Sequence, residues 1–333
     1  MAHLPRLAGL RRLGDRIQEA RGVPRWILYV GIAIVVFFVV LAIFAPLIAP
    51  YGFDQVSADG TRFPKQTAPS SEHLFGTTVQ STDVLSRVIW GARTAIEVVL
   101  LSLIFSIAIG VPLGLVSGYV GGKLDRVLVL IMDALFAFPY LLLAIVVAFL
   151  LTDKLNDFFL SDLFGAGIVT AAVAITVVYI PQYFRVVRNH VIAVREEPYV
   201  EAARALGAKR RTIIGRYIFY NVIQNVPALA TLNAADAILT LAALGFLGYG
   251  IQPTEAAEWG YDISRAIDDV GAGIWWTGVF PGMAIVLLVT GFTLVGEGLN
   301  DVLNPLIRYR RIRKPKIPAG EEKPRVPAGQ EAS

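Results

Sequence analysis

Long apolar runs alternate with short polar segments along this chain of 333 residues. Six of the runs are long enough for a helix to cross about 30 Å of hydrocarbon at about 1.5 Å per residue. They cover residues 26–48, 94–118, 126–151, 167–184, 218–246 and 276–299. The pattern therefore predicts an all-α integral membrane protein with six transmembrane helices.

The composition agrees with this prediction, because 55% of the residues are hydrophobic and the mean hydropathy is +0.61. Ordinary soluble domains are less apolar. Basic loops of a membrane protein explain the net charge of +4 better than nucleic-acid binding does. The chain has no cysteine, which excludes disulfides and thiolate chemistry. Its three histidines, His3, His73 and His190, are far apart in sequence, so no histidine-rich metal site is expected.

Lysine and arginine are unevenly distributed among the polar segments. With the N-terminus in the cytoplasm, the cytoplasmic segments carry 24 of the 30 basic residues. Six precede the first span, two follow the second, eight lie in residues 185–216 and eight in residues 308–325. Because basic residues favour the cytoplasmic side, this imbalance predicts that both termini are cytoplasmic.

The chain is predicted to divide into five parts along this topology. A basic leader is followed by the first transmembrane helix, an external loop, a core with five transmembrane helices, and a disordered cytoplasmic tail. Their ranges are 1–25, 26–48, 49–91, 92–306 and 307–333. A second external loop is expected over residues 247–275, with a short helix over 256–267.

A charged, helix-prone segment at residues 195–217 separates the fourth and fifth apolar runs. Its centre reads Glu201-Ala202-Ala203-Arg204-Ala205-Leu206-Gly207. Alanine and leucine favour a helix, and Gly207 can end it in a left-handed conformation. The pattern predicts a short helix, a turn and a basic run at the membrane surface. From composition alone, an ordinary basic loop that only fixes topology is the favoured interpretation of the segment.

Two groups of residues within the predicted spans carry further hypotheses. Gly110, Gly114 and Gly118 form a ladder of small residues that predicts close packing against another helix. Asp236 lies midway along the fifth run, near Asn233. A carboxylate in the membrane is costly unless it faces protein or water. Asp236 and Asn233 are therefore candidates for lining a transport pathway, and a purely structural, hydrogen-bonded role is the alternative.

Nucleotide binding and catalysis by the chain itself are not expected. The segment 117–124 ends in Gly-Lys, but Ser117 and Leu124 occupy positions where a phosphate-binding loop needs Gly and Ser or Thr. No catalytic triad, metalloprotease helix or pair of catalytic carboxylates emerges. The sequence predicts neither an enzyme nor a bound cofactor.

Several short blocks, together with the 201–207 segment, resemble a known family. In chain order they are His73-Leu74-Phe75-Gly76-Thr77, Asp83-Val84-Leu85-Ser86-Arg87, Gly91-Ala92-Arg93-Thr94, Met132 to Pro139, Phe246 to Pro253, Trp259-Gly260, Phe280-Pro281-Gly282, Gly296 to Asp301 and Asn304-Pro305. Over roughly residues 70–306 they are similar to the second, C-type permease subunit of dipeptide/oligopeptide ABC importers.

The resemblance implies a type I ABC-importer permease in the cytoplasmic membrane of a prokaryote. Its expected partners are a homologous second permease, two ABC ATPases that bind the ATP, and an extracytoplasmic substrate-binding protein. Residues 195–217 would be the loop that couples the permease to the ATPases, with Ala202 and Ala203 entering a groove, Glu201 and Arg204 pairing at its rim, and Gly207 making the turn.

Some positions depart from the family pattern. Asp236 stands where small residues are usual, which implies an altered pathway lining. Phe219-Tyr220 replaces the usual Leu-Pro, which implies a less sharply defined start of the fifth span. Peptides are the expected substrate, with nickel chelates or oligosaccharides as alternatives in the same fold. An ion-coupled secondary transporter and a membrane scaffold are the alternatives of another class.

Overall fold

The computed structural model describes residues 23–152 and 154–303, so the leader up to residue 22 and the tail from residue 304 lie outside the described residues. The described chain is mostly helical. The helices are α1 (Val23–Ile48), α2 (Val84–Val120), α3 (Gly122–Ala137), α4 (Tyr140–Leu151), α5 (Ser161–Phe164), α6 (Ala166–Val194), α7 (Pro198–Ala205), α8 (Arg210–Thr212), α9 (Phe219–Val222), α10 (Val226–Phe246), α11 (Trp259–Gly271) and α12 (Trp276–Leu303). A two-residue hairpin, β1 (Ser57–Ala58) and β2 (Thr61–Arg62), lies in the first long loop.

The described residues contain helices for six membrane crossings when one bent pair of helices is counted as a crossing. Five helical segments are long and apolar enough to span a membrane: Trp26–Ile48, Val84–Val120, Ala166–Val194, Arg210–Phe246 and Trp276–Asn300. The pair α3 and α4 supplies the sixth. The predicted all-α class and number of spans are therefore confirmed, although several boundaries differ.

The third span is not the single helix predicted over 126–151. It consists of α3 and α4, which are bent by 98° relative to each other. Pro139 causes the break, because it has no N–H to donate and it forces Phe138 into an extended conformation with φ −75° and ψ 140°. The carbonyl of Pro139 then accepts the first hydrogen bond of α4, from Leu143 N at 3.0 Å.

The second span begins ten residues before its predicted start, inside the loop expected over 49–91. Asp83 caps α2, because one of its carboxylate oxygens accepts a hydrogen bond from Ser86 N at 2.7 Å. The fourth span extends beyond residue 184 to Val194, so its last turns carry Arg185 and Arg188 outside the apolar run. The apolar pattern missed both extensions because arginines interrupt the added turns, Arg87 and Arg93 in α2 and Arg185 and Arg188 in α6.

The fifth span starts irregularly, as its departure from the family pattern implied. A π-helical segment (Ile213–Ile218), the short α9 and a 3₁₀ turn (Ile223–Asn225) precede the regular helix α10. Pro227 lies in the first turn of α10 and cannot donate a hydrogen bond to the preceding turn. The chain therefore restarts as a regular helix only after a break in hydrogen bonding.

The glycine ladder of α2 packs directly against α6, as predicted. A Cβ atom on Gly114 would lie 2.7 Å from the carbonyl oxygen of Phe184, and one on Gly118 would lie 2.8 Å from Val191 Cβ. A Cβ atom on Gly110 would meet Tyr183 Cβ at 2.7 Å. These distances leave no space for a side chain, so the three glycines permit the close approach of the two longest buried helices.

A second small-residue contact, between α1 and α12, was not predicted. A Cβ on Gly31 would lie 2.8 Å from Leu294 Cβ, and a Cβ on Gly298 would lie 2.7 Å from Leu28 Cβ. The first span thus packs on the last, while many of its side chains, such as Leu47, are exposed along the helix. Exposed apolar side chains on a spanning helix are typical of a lipid-facing surface.

Candidate coupling surface and intramembrane cavity

The short helix α7 ends in a Schellman motif at the predicted glycine. Ala208 N donates to Ala203 O and Gly207 N donates to Arg204 O, each at 3.0 Å. Gly207 has φ +77°, which is the left-handed conformation that glycine adopts without strain. The predicted helix and turn are therefore present in the middle of residues 195–217.

Two adjacent alanines of α7, Ala202 and Ala203, differ in exposure. Val200 and Ala203 are buried against the chain's own π-helical segment, where Ile213 is also buried. Ala202 is exposed together with Glu201 and Arg204. The expectation that Ala203 enters a groove of a partner is therefore wrong, because that face of the helix is already occupied by this chain.

An outward surface remains, which we call the coupling surface: Glu201, Ala202, Arg204, Ala205 and Leu206. Leu206 is its most prominent apolar group, with 89% of its surface exposed. The basic residues Lys209, Arg210 and Arg211 follow and are also exposed. The surface thus combines one protruding apolar side chain with clustered positive charge.

Polar contacts attach α7 to the spanning helices. Asn221 Nδ2 donates to the hydroxyl of Tyr199 at 3.1 Å. Arg195 Nη1 donates to Gly118 O at 2.8 Å, at the end of α2. Arg188 makes a bidentate ion pair with Asp125 at 2.5 and 2.7 Å. Through Tyr199, and through Arg195 at the end of α6 just before it, α7 is therefore connected to the irregular start of the fifth span and to α2, while the Arg188–Asp125 pair joins α6 to α3.

The carboxylate of Asp236 lines a cavity of about 530 Å³ at the break between α3 and α4. Helices α6 and α10 form its other walls. Asn233, one turn away, is 2% exposed and lies beside Tyr183 of α6. The two predicted pathway residues are therefore not equivalent: Asp236 borders the cavity, and Asn233 is part of the packed interface between helices.

Polar groups also cluster at the opposite end, where residues 49–83 and 247–275 cover the spans; we call it the loop-covered end. Arg87 is buried and contacts Asp262 at 2.6 Å. Glu258 is buried at the start of α11, where its carboxyl oxygens accept hydrogen bonds from Gly260 N at 2.8 Å and Tyr261 N at 2.7 Å. Burial raises the pKa of Glu258 to about 8, against the opposing effect of these two backbone donors.

The motif blocks of the sequence meet at this end. The buried carboxylate of Asp83 contacts His73 Nδ1 at 3.0 Å, and Trp276 Nε1 donates to Thr77 O at 3.2 Å. Trp259 Nε1 donates to Val88 O at 3.1 Å and lies against Gly91, where a Cβ would approach it closely. The blocks are far apart in sequence, so their residues serve one packed structure rather than separate sites.

Comparison with known proteins places the chain in a family. A model described as binding-protein-dependent transport system inner membrane component matches residues 110–309. A second, described as N-terminal TM domain of oligopeptide transport permease C, matches residues 27–69. The chain belongs to the family of binding-protein-dependent inner-membrane permeases. It is a multi-pass permease subunit of the ABC-importer class with a type I architecture, and this confirms the resemblance in the sequence.

Three relatives illustrate the similarity of the permease. The dipeptide transport system permease protein DppC of Alkalihalophilus pseudofirmus is 36% identical, over 84% of this chain and 86% of the relative. The glutathione transport system permease protein GsiD of Pectobacterium atrosepticum is 34% identical, over 72% and 75%. The probable D,D-dipeptide transport system permease protein DdpC of Escherichia coli K12 is 34% identical, over 82% and 85%.

Sequence reasoning missed the polar core at the loop-covered end of the permease. Arg87 was quoted within a motif block, but its partner Asp262 is 175 residues away and carried no signal of its own. Glu258 directly precedes Trp259-Gly260, where an acidic residue before a helix indicates an N-cap. That local signal was available for Glu258, whereas the pairing of Arg87 depends on the tertiary structure.

Proposed function

We propose that the permease imports peptides together with a second permease, two ABC ATPases and an extracytoplasmic binding protein. The family match supports this proposal, and the relatives named above carry dipeptide or glutathione transport in their names. The observation that carries the mechanism is the exposed coupling surface on a helix tied to several spans. The permease itself is expected to hydrolyse no ATP.

In the proposed mechanism, α7 docks on an ATPase through Leu206 and the neighbouring basic residues. Closure of the ATPases displaces α7, and the contacts of Tyr199 and Arg195 transfer this displacement to the spanning helices. The surface must be cytoplasmic for such docking, so both chain termini are expected in the cytoplasm. Because Ala203 faces inward, the proposal assigns docking to the face that carries Ala202 and Leu206.

The docking surface is tested with two matched leucines. Leu206→Asp is expected to abolish co-purification of the ATPases, because it replaces the protruding apolar group with a charge. Leu163→Asp is the control, since Leu163 is 73% exposed in α5, on the other side of the membrane from α7 in the proposed topology. The assembled importer is purified through the permease, and membrane abundance is measured in parallel. Stoichiometric ATPases with Leu206→Asp, at normal abundance, would contradict the proposed docking.

The two alanines provide a second comparison. Ala202→Trp adds bulk to the exposed face and is expected to impair ATPase binding at normal membrane abundance. Ala203→Trp places the same bulk in the chain's own packing, so it is expected to lower abundance first. Normal ATPase binding with Ala202→Trp would contradict docking of the ATPase on this face of α7.

The orientation is tested with single cysteines in this cysteine-free chain. Ser70→Cys is expected to react with a membrane-impermeant thiol reagent in cells whose outer membrane has been permeabilised, whereas Ser333→Cys is expected to react only after the inner membrane is disrupted. Labelling of Ser333→Cys with the inner membrane intact would reverse the proposed orientation and remove the coupling surface from the cytoplasm.

A further inference from the structure

The cavity beside Asp236 has a composition that differs from the rest of the membrane region. Phe136, Phe138, Tyr140 and Tyr179 line it with aromatic surface, and its volume of about 530 Å³ is within the range of small-ligand sites. Asp236 is the only charged side chain in the lining. A single negative charge among aromatic rings is a chemical environment that favours a cation.

The carboxylate of Asp236 also has no ion-pair or hydrogen-bond partner among the described residues. It stands at the centre of the 21-residue helix α10. Among residues 23–152 and 154–303, no ion pair or hydrogen bond engages its carboxylate; only its backbone carbonyl is bonded, by Thr240 Oγ1 at 2.8 Å. A carboxylate at this depth in contact with lipid would be costly, so it faces water or a partner protein.

The nearby charged groups compensate each other and leave Asp236 uncompensated. Arg185 donates to Asp133 at 2.7 Å and lies 4.0 Å over the ring of Phe136. Since this arginine already has a carboxylate partner, it does not neutralise Asp236. Among the described residues, the cavity therefore holds one carboxyl group without a cationic partner, with which a substrate cation can pair.

We propose that Asp236 recognises a primary ammonium group of the substrate as it passes this cavity, so the permease selects peptides with a free amine. The inference rests on the proposed peptide transport and deepens it. The ammonium would contact the carboxylate, while the aromatic rings that line the cavity hold the adjoining part of the peptide and add cation–π attraction. Dialanine and its N-acetylated form differ in this group and serve as the probe pair.

The transport test uses the complete importer in proteoliposomes with its binding protein. Asp236→Asn is expected to reduce uptake of dialanine at least about tenfold, and uptake of N-acetyl-dialanine less than about twofold. A third peptide, N-acetyl-alanyl-lysine, shows whether a side-chain ammonium is recognised as well as the α-amine. Glu97→Gln is the control, because it removes a carboxylate of a spanning helix that does not line the cavity, and it is expected to change uptake of all three peptides by the same factor. An equal effect of Asp236→Asn on dialanine and its acetylated form would overturn the proposal.

A second measurement does not depend on which peptides the binding protein delivers. Leu239→Cys, in the same cavity, is treated with cationic and anionic thiosulfonates of similar size in the assembled importer. The cationic reagent is expected to react faster, and adding Asp236→Asn is expected to lower the ratio of the two rates about tenfold. A ratio that stays unchanged, or a cysteine that neither reagent reaches, would overturn the proposal. If the wild-type importer takes up no peptide while its ATPases remain bound, the peptide assignment itself fails and the rate ratio still tests the cavity charge.

Discussion

The two ends of the permease use polar side chains in opposite ways. At the loop-covered end, Arg87 and Asp262 are buried and pair across the fold, and Glu258 is buried and bonded to the first turn of α11. At the end that carries the coupling surface, polar contacts such as that of Asn221 are exposed, and the helix between residues 210 and 225 is irregular. Buried ion pairs and hydrogen bonds stabilise one arrangement, whereas exposed contacts and irregular backbone allow displacement at little cost.

The two ends of the chain therefore have different structural roles. The loop-covered end holds the spans and both long loops as one unit. In the proposed mechanism, the end that carries the coupling surface has contacts that exchange more readily when a partner moves it. The following substitutions test the contrast, from the largest expected effect to the smallest.

Arg87→Ala is expected to have the largest effect, because it leaves the buried carboxylate of Asp262 without its cation. Loss of one partner of a buried pair costs about 3–5 kcal/mol. Arg93→Ala is the control on the same helix; its pair with Glu97 is partly exposed and contributes about 0.2–1 kcal/mol. Thermal unfolding of the purified permease measures both. Equal midpoint shifts for the two variants would remove the distinction between buried and exposed pairs.

The buried carboxyl of Glu258 predicts a pH dependence confined to the loop-covered end. Since its folded-state pKa is raised to about 8, its contribution to stability is complete below about pH 4.5 and is lost as the pH rises towards 8. The wild-type protein is expected to lose stability over this range relative to Glu258→Gln, which does not titrate. Parallel stability curves for the two proteins between pH 5 and 8 would show that Glu258 is already ionised when buried.

Gly114→Ala tests the helix contact that joins the two ends. The added Cβ would lie 2.7 Å from Phe184 O, a backbone atom that cannot move aside alone, so a loss of about 1–3 kcal/mol is expected. Gly282→Ala is the matched control within a spanning helix, because its nearest neighbour, Ile263 Cδ1, is 4.0 Å away. A smaller effect at Gly114 than at Gly282 would indicate that α2 and α6 separate easily.

Gly207→Ala is expected to have the smallest and most local effect. No atom lies within 4 Å of the new Cβ, so the cost comes only from the left-handed backbone and is about 1 kcal/mol. Hydrogen exchange should increase in residues 198–207 while the unfolding midpoint hardly changes. Gly271→Ala, equally open but without a positive φ, serves as the control. A large drop in the midpoint would show that the coupling end is as tightly coupled to the fold as the other end.

The sequence alone determined the class of the molecule and the short helix and turn around Gly207. Hydropathy indicated the six spans because length and apolar composition are local properties. The helix and turn around Gly207 were predictable for the same reason, since alanine content and a left-handed glycine act within a few residues. The close helix contact at Gly110, Gly114 and Gly118 was predictable because their spacing places three small residues on one helix face.

Only the tertiary structure decided which of these residues face the chain and which face outward. Ala202 and Ala203 are neighbours of the same type, yet one is exposed and the other buried, because α7 packs on the segment 213–218 through one face. Likewise, Asp236 borders the cavity whereas Asn233 is packed between helices. Arg87 pairs with Asp262 across the fold. Propensity and hydropathy are sums over neighbouring residues, whereas facing and pairing depend on which helices pack together, and no local pattern contains that information.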